Sequence, residues 1–380
     1  MNKNKLNKEH LPAIIFMIYI VGMCVLMLVL PKDDYSANEK RYLSEAPNFS
    51  LSAIFNGEFS SKTEKYLADH TPARSFFVGT DAYYNLILGR NGSNGIYACK
   101  DGYLINKPSD YTERYDKNIQ IIKRFADKTN LKVNVMIAPQ RGYILEDKLP
   151  KVHEKYEDKK LLDSAQSVLN SENINFIRID DVFKEKSKEN SLYYKTDHHW
   201  TSCGAYTAYV EYCKANGLTP TDVSDYTVTS YDNFYGTSYS SSALWGTAPD
   251  TLETWSDSKT AGDISVEITE KDKTVTSDTM FFTSHDGEDD KYPIFLDGNH
   301  SFVRIKNKAS NGKKLLVIKD SYAHALVPFL ADNYSEIVMV DLRYYKLPIS
   351  KLIEQENIDE IFIMYSLANF STDTDIAWLK

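Results

Sequence analysis

Twenty consecutive residues without a charge, LPAIIFMIYIVGMCVLMLVL, occupy positions 11–30. A helix rises 1.5 Å per residue, so this run is about 30 Å long and matches the hydrocarbon thickness of a bilayer. It predicts a transmembrane helix. Lys3, Lys5 and Lys8 precede it. Because positive residues stay on the cytoplasmic side, residues 1–10 are expected to be a cytoplasmic tail, 11–30 the anchor, and everything beyond to face outward. The alternative is a cleaved signal sequence, whose apolar stretch is usually about 7–15 residues and ends at a small-x-small site. Here the stretch is longer and Pro31-Lys32-Asp33 follows.

The rest of the chain is long enough for one large domain with additions or for two smaller ones, and 42% apolar content supports a core. A net charge of −9 without a long basic run lacks the electrostatic footprint of a nucleic-acid binder. Four cysteines, Cys24, Cys99, Cys203 and Cys213, imply no disulfide framework. Their spacing contains no C-x-x-C pair, so no zinc site is expected.

Residues 31–60 are polar and read as a stalk leading into an extracytoplasmic domain over 61–380. Aromatic positions at helical spacing between residues 62 and 90 predict two short helices broken at Thr71-Pro72, and Gly92 to Ile105 predicts a hairpin. From Asp110 strands and helices alternate. A helix to about Thr129 precedes the strand KVNVMIA, the loop PQRGYILEDKLP, a helix near Leu161 to Leu169 and the strand INFIRI. The alternation returns as KKLLVIKD, a helix over Tyr322 to Ala331, EIVMVDL, a helix over Ile349 to Glu356, and EIFIMYS. Such a rhythm predicts an α/β fold with a mostly parallel sheet and helices on both faces. Residues 217–300, rich in Tyr, Thr, Ser and Asp, read as a β-rich region, inserted or at a sheet edge. Their tyrosines are either platforms for sugar rings or plain strand residues.

In parallel sheets ligands gather beyond the carboxyl ends of the strands, which directs attention to three segments. In Lys319-Asp320-Ser321-Tyr322-Ala323 an apolar strand ends in a serine that opens a helix; it is either a nucleophile with amides nearby for an oxyanion, or an N-cap. Thr196-Asp197-His198-His199-Trp200-Thr201 unites a carboxylate with imidazoles. This suits a general base with its orienting acid, a metal cluster, or simple capping. Asn369, after the last strand, either donates to an oxyanion or shapes a turn. Gly236-Thr237-Ser238-Tyr239-Ser240 looks nucleophile-like but follows no apolar strand, and His324 points along its helix; both read as structural or substrate-lining.

The strings DHHW and KDSYA, with Asp69-His70-Thr71-Pro72-Ala73-Arg74 and Asn38-Glu39-Lys40-Arg41 upstream, resemble the DHHW protein family. That family is similar to the SGNH-like acetyltransferase domains of alginate O-acetylation proteins. The resemblance implies an SGNH-hydrolase-like, flavodoxin-like fold in permuted order. It also implies catalysis by Ser321, His199 and Asp197, with His198 as the alternative base, an oxyanion site at Asn369 and Tyr322, and no cofactor or metal. Arg141 and Arg343, at strand ends that face the same crevice, either hold substrate or pair with carboxylates, and His198 and Tyr194 are expected to contact substrate. The implied activity is O-acetyl transfer to polysaccharide at the cell membrane, with a membrane-bound O-acyltransferase as the donor partner. An acetylesterase with the same triad and a non-catalytic glycan-binding or scaffold protein are the alternatives. One departure stands out: Lys319 occupies a position where the SGNH pattern usually has glycine, which relieves crowding at a tight turn.

Overall fold

The structure, a computed structural model, describes residues 10–379 apart from 110, 271, 272, 289 and 311. Lys3, Lys5 and Lys8, with the tail expected from them, and Asp110 lie outside the described residues. The chain divides into two compact units. One runs to Arg90 and includes Ala243–Trp245; the other comprises Asn91–Ser242 and Gly246 onward.

The first unit opens with helix α1 (Leu11–Val29), which begins beside a proline and buries none of its residues. By length and composition it is able to cross a membrane, as is a signal sequence. The hairpin β1 (Tyr35–Ser36) and β2 (Arg41–Tyr42) follows, then helices α2 (Leu51–Phe55), α3 (Glu58–Asp69) and α4 (Arg74–Ile87). Residues 31–60, read as a stalk, thus carry regular structure. The two upstream strings meet: Asp69 accepts from both terminal guanidinium nitrogens of Arg41 (3.0 and 2.5 Å) and from Ser44 N (2.9 Å). Glu39 accepts from Arg41 Nε (2.8 Å) and from Arg74 (3.1 Å). Hydrogen bonding to Arg41 outweighs burial and holds the Asp69 carboxyl well below the usual carboxylate range.

The second unit begins with a small sheet of β3 (Gly92–Ser93), β4 (Ile96–Ala98) and β5 (Leu104–Asn106). Then come α5 (Glu113–Lys128), β6 (Lys132–Ala138), α6 (Arg141–Ile144), α7 (Asp158–Leu169), β7 (Ile174–Ile177), α8 (Asp180–Lys186) and α9 (Ser202–Asn216). The hairpin β8 (Tyr226–Phe234) and β9 (Asp250–Asp257) encloses α10 (Thr237–Ser242). Strands β10 (Ile264–Glu270), β11 (Lys273–Ser277), β12 (Phe302–Asn307) and β13 (Lys314–Lys319) precede α11 (Ala323–Leu330), β14 (Glu336–Val340), α12 (Ile349–Glu356), β15 (Glu360–Ser366) and α13 (Leu367–Thr372).

Eight strands form the main sheet in the order β11-β10-β12-β14-β13-β15-β6-β7. From β14 to β7 all pairs are parallel, whereas β12, β10 and β11 add an antiparallel wing. The 217–300 segment is β-rich as expected, and of the two placements β10 and β11 take the edge of the main sheet. The central strands read as unbroken apolar runs because both faces are covered. In β13, Leu315 and Val317 pack with Tyr209 and Tyr212 of α9 and Leu326 of α11. Leu316 and Ile318 turn to the other face, with Ile122 of α5, Leu162 of α7 and Leu352 of α12. Parallel pairing brings the carboxyl ends of β6, β13, β14 and β15 to one edge.

Candidate active site

Strand β13 delivers Asp320 and Ser321 to that edge. Asp320 N donates to Met364 O of β15 (3.1 Å), and the Asp320 carboxylate pins the turn, accepting from Tyr322 N (3.0 Å), Ser366 N (2.8 Å), Ser366 Oγ (2.7 Å) and Asn369 Nδ2 (2.9 Å). Lys319 strains nothing, since it is not among the described residues with positive φ. Its side chain is buried, with Nζ 2.7 Å from His324 Nε2 and 3.1 Å from Asp341. His324 is buried too, and burial, then Lys319, holds its imidazole well below its ordinary value.

The DHHW loop lies against this turn. Trp200 Nε1 donates to Tyr322 O (3.0 Å), and the Tyr322 hydroxyl donates to His198 O. The aromatic members of the two strings therefore bind one segment to the other. His199 Nε2 lies 2.7 Å from Ser321 Oγ, and its Nδ1 lies 2.6 Å from Asp197 Oδ1, which also accepts from His199 N (2.9 Å). The second Asp197 oxygen accepts from Thr237 N (2.8 Å) and Thr237 Oγ1 (3.1 Å). Burial works to raise the Asp197 carboxyl, but the electrostatic pull of the neighbouring His199 and His198 rings and these hydrogen bonds outweigh it and hold the group well below the usual carboxylate range.

The His199 ring is held on both faces. Tyr292 stacks on it with centroids 3.8 Å apart and planes 8° from parallel, and donates its hydroxyl to Ser321 O (3.2 Å). His198 lies 3.9 Å away on centroids and places Nδ1 2.6 Å from Thr237 Oγ1. Burial, then the nearby His199, pushes the His198 imidazole down to about 3. His198, Tyr322 and Asn369 border a cavity of about 290 Å³ that is also lined by Asn106 and Gln140.

The structure thus brings Ser321, His199 and Asp197 into one hydrogen-bonded line, with His198 and Asn369 beside it. Four other expected residues have partners within the protein, although Arg141 and Tyr322 also line the cavity. The Tyr322 amide is spent on Asp320 and its hydroxyl on His198 O, so Tyr322 has no donor left for an oxyanion. Arg141 is buried, and its guanidinium holds the DHHW loop through the carbonyls of Tyr194 (2.6 Å) and Asp197, with Leu104 O and Ser238 Oγ as further acceptors. Arg343 clasps Asp341 (2.9 and 2.6 Å) and Asn299 (2.9 Å) instead of reaching the cavity. Tyr194 belongs to the core, 2% exposed and edge-on to Phe234. Tyr292 was not among the expected residues, and Asp320 and Thr237 were named only within their strings, without these partners. Asp197, His198 and His199 carry ligand atoms within 4.8 Å of one another, a spacing that would also suit a metal ion. In this arrangement, however, both His199 nitrogens and His198 Nδ1 face protein partners at hydrogen-bonding distance.

Serine, histidine and aspartate are thus hydrogen-bonded at the carboxyl edge of the parallel strands of a mixed α/β unit, the edge at which such sheets gather ligands. The family model of the DHHW protein matches residues 108–340, more than half of the sequence, and the chain belongs to that family. A DHHW family protein from Eubacterium siraeum is similar in structure, with TM-score 0.63 and 21% identity over 75% of this chain and 95% of that one. Bacillus cereus PatB1 with a sulfonyl adduct matches with TM-score 0.63 and 21% identity over 75% of this chain and 98% of its own. The O-acetyltransferase domain of Pseudomonas putida AlgJ matches at 13% identity and TM-score 0.44, over 75% and 98%. Among curated proteins no relative matches.

Proposed function

We propose that this chain is a membrane-anchored, extracytoplasmic O-acetyltransferase of cell-surface or secreted polysaccharide, with an SGNH-like site and a Ser321 acyl-enzyme. The observation that carries the proposal is the line Ser321 Oγ, His199 Nε2, His199 Nδ1, Asp197 Oδ1, closed at 2.7 and 2.6 Å. His199 takes the Ser321 proton as Oγ attacks the acetyl carbonyl, and Asp197 fixes the tautomer and balances the imidazolium. The second Asn369 Nδ2 hydrogen and the Ser321 amide serve the tetrahedral oxyanion, each donor worth roughly 3–4 kcal/mol. Collapse expels the donor's leaving group with the proton from His199 and leaves acetyl-Ser321. A glycan hydroxyl then gives its proton to His199 and attacks the acetyl carbon; the acetyl–Oγ bond breaks, Ser321 Oγ takes that proton back from His199, and the glycan departs as the acetyl ester. The sulfonyl adduct on PatB1, a protein of similar fold, is the kind of product that an activated nucleophile gives with a sulfonyl reagent. The polysaccharide acceptor and a membrane-bound O-acyltransferase donor follow from the family resemblance.

The test is intact mass spectrometry after incubation with an activated acetyl ester, with and without polysaccharide. One acetyl adduct is expected, on Ser321, abolished in Ser321→Ala and formed about 10⁴-fold or more slowly in His199→Ala. An adduct that persists in Ser321→Ala refutes the reading. Acetate release without glycan acetylation would make the protein an esterase.

A further inference from the structure

Helix α4 is inside out for a helix surrounded by water. Its covered positions include Ser75, Val78, Gly79, Ala82 and Asn85, mostly small or polar, and a Cβ on Gly79 would meet the Trp245 ring at 3.1 Å. Six large apolar residues point outward: Phe76 is 68% exposed, Tyr84 55%, Ile87 81% and Leu88 56%, with Phe77 and Tyr83 also exposed, whereas Val78 and Leu86 are half-buried. The numbers 76, 77, 83, 84, 87 and 88 fall on one side of a 3.6-residue helix. Asp81 is the only charge between Phe76 and Leu88. An ordinary surface helix turns such a stripe to the core, and one left bare marks a contact site. The preceding α2 shows the same habit, with Leu51 67% and Phe55 89% exposed.

We propose that this stripe is covered by the bilayer itself, α4 lying in the headgroup–acyl boundary on the outer face of the membrane. The inference rests on the reading of α1 as a membrane span. Only Leu30 to Asp34 separate Val29 of α1 from Tyr35 of β1, at most about 20 Å of chain, so this unit is held against the membrane surface. Tyrosine and phenylalanine suit that boundary: apolar rings enter the acyl region while the tyrosine hydroxyls meet the headgroups. A helix with such a face binds in the interface plane. Asp81, on the outward side, sets a limit to how deeply it enters.

The full chain would be reconstituted in vesicles of phosphatidylcholine and phosphatidylglycerol brominated either near the headgroup or near the chain ends. Two variants are compared with the parent chain, Tyr84→Trp on α4 and Ile20→Trp within α1. The expected result is loss of the added Tyr84→Trp emission with shallow bromines and of the Ile20→Trp emission with deep ones. If Ile20→Trp is quenched and Tyr84→Trp is not, the bilayer does not cover α4, and self-association relieved by Phe76→Ser would identify a second copy as the occupant. If neither is quenched, the span reading fails and takes this proposal with it.

Discussion

At the scale of single residues, the position most sensitive to added atoms near the triad is Gly236. A Cβ there would lie 2.1 Å from Asp197 Cβ and 2.4 Å from its Oδ2, closer than real contacts allow. Gly236→Ala must therefore move the carboxylate that steadies His199. A misplacement of about 1 Å at a reacting group costs on the order of 10²-fold, so acetyl-adduct formation should slow by that much or more. Thr237→Val removes the hydroxyl's bonds to Asp197 and to His198 Nδ1 and keeps the amide bond to Asp197. About 10-fold is expected, the lower end for a hydrogen bond to a charged group. Stopped-time mass spectrometry alongside thermal melting checks both; a Gly236→Ala protein that folds and labels at the parent rate would show that Asp197 needs no such fit. Ser321, His199 and Asp197 were legible because two strings named them. Thr237 was not, because it stands 40 residues from Asp197 and only the tertiary fold joins them. The partners of Arg141 were not legible for a similar reason: a strand-end arginine reads alike in sequence whether it only lines the cavity or also holds a loop through its carbonyls.

At the scale of elements, the start of α7 sets a pH dependence. Asp158, its first residue, accepts from Gln140 N (2.6 Å) and Gln140 Nε2 (2.9 Å), tying the loop after β6 to the helix. Burial nevertheless dominates and pushes this carboxyl up to about 7. The unfolded value is about 3.9, so between about pH 4 and 7 the folded protein keeps a proton that the unfolded chain releases. This contribution to stability is full below about pH 4 and is lost as pH rises to about 7, opposite in sign to a salt-bridged aspartate. Asp158→Asn removes the slope: relative to the variant, the parent should lose up to about 4 kcal/mol between those pH values in denaturant titrations. A gap that stays constant, or grows in favour of the parent, would mean that Asp158 is charged in the fold. The strands and longer helices around this loop were legible from their periodicity, and Ile349–Glu356 matches the expected bounds. The four-residue α6 is too short to show a period and reads as loop. The alternation of Ile264, Val266 and Ile268 marks a strand, yet period two cannot say which sheet it joins; the pairing of β10 with β12 decides that.

At the scale of the whole molecule, the apolar helix proposed as an anchor and the residues proposed for the chemistry occupy separate stretches of chain. The residues proposed for acyl transfer, from Asp197 to Asn369, lie in the second compact unit, while α1 belongs to the first. A chain begun after Leu30 should therefore form the Ser321 adduct with a small activated ester at nearly the parent rate, because that reaction needs only the second unit's hydrogen bonds. Its work on cells should suffer. Tethering holds an enzyme at an effective concentration of the order of millimolar near acceptors on the same surface, and losing the tether lowers surface acetylation by about 10- to 100-fold. The two measurements separate anchor from catalyst: a truncated chain that folds but no longer forms the adduct would place part of the acyl-transfer site in the N-terminal residues. Intact mass of the protein recovered from membranes completes the argument. A span keeps residues 11–30 attached, whereas a cleaved signal leaves a shorter chain in the medium, for which truncation after Leu30 would change nothing.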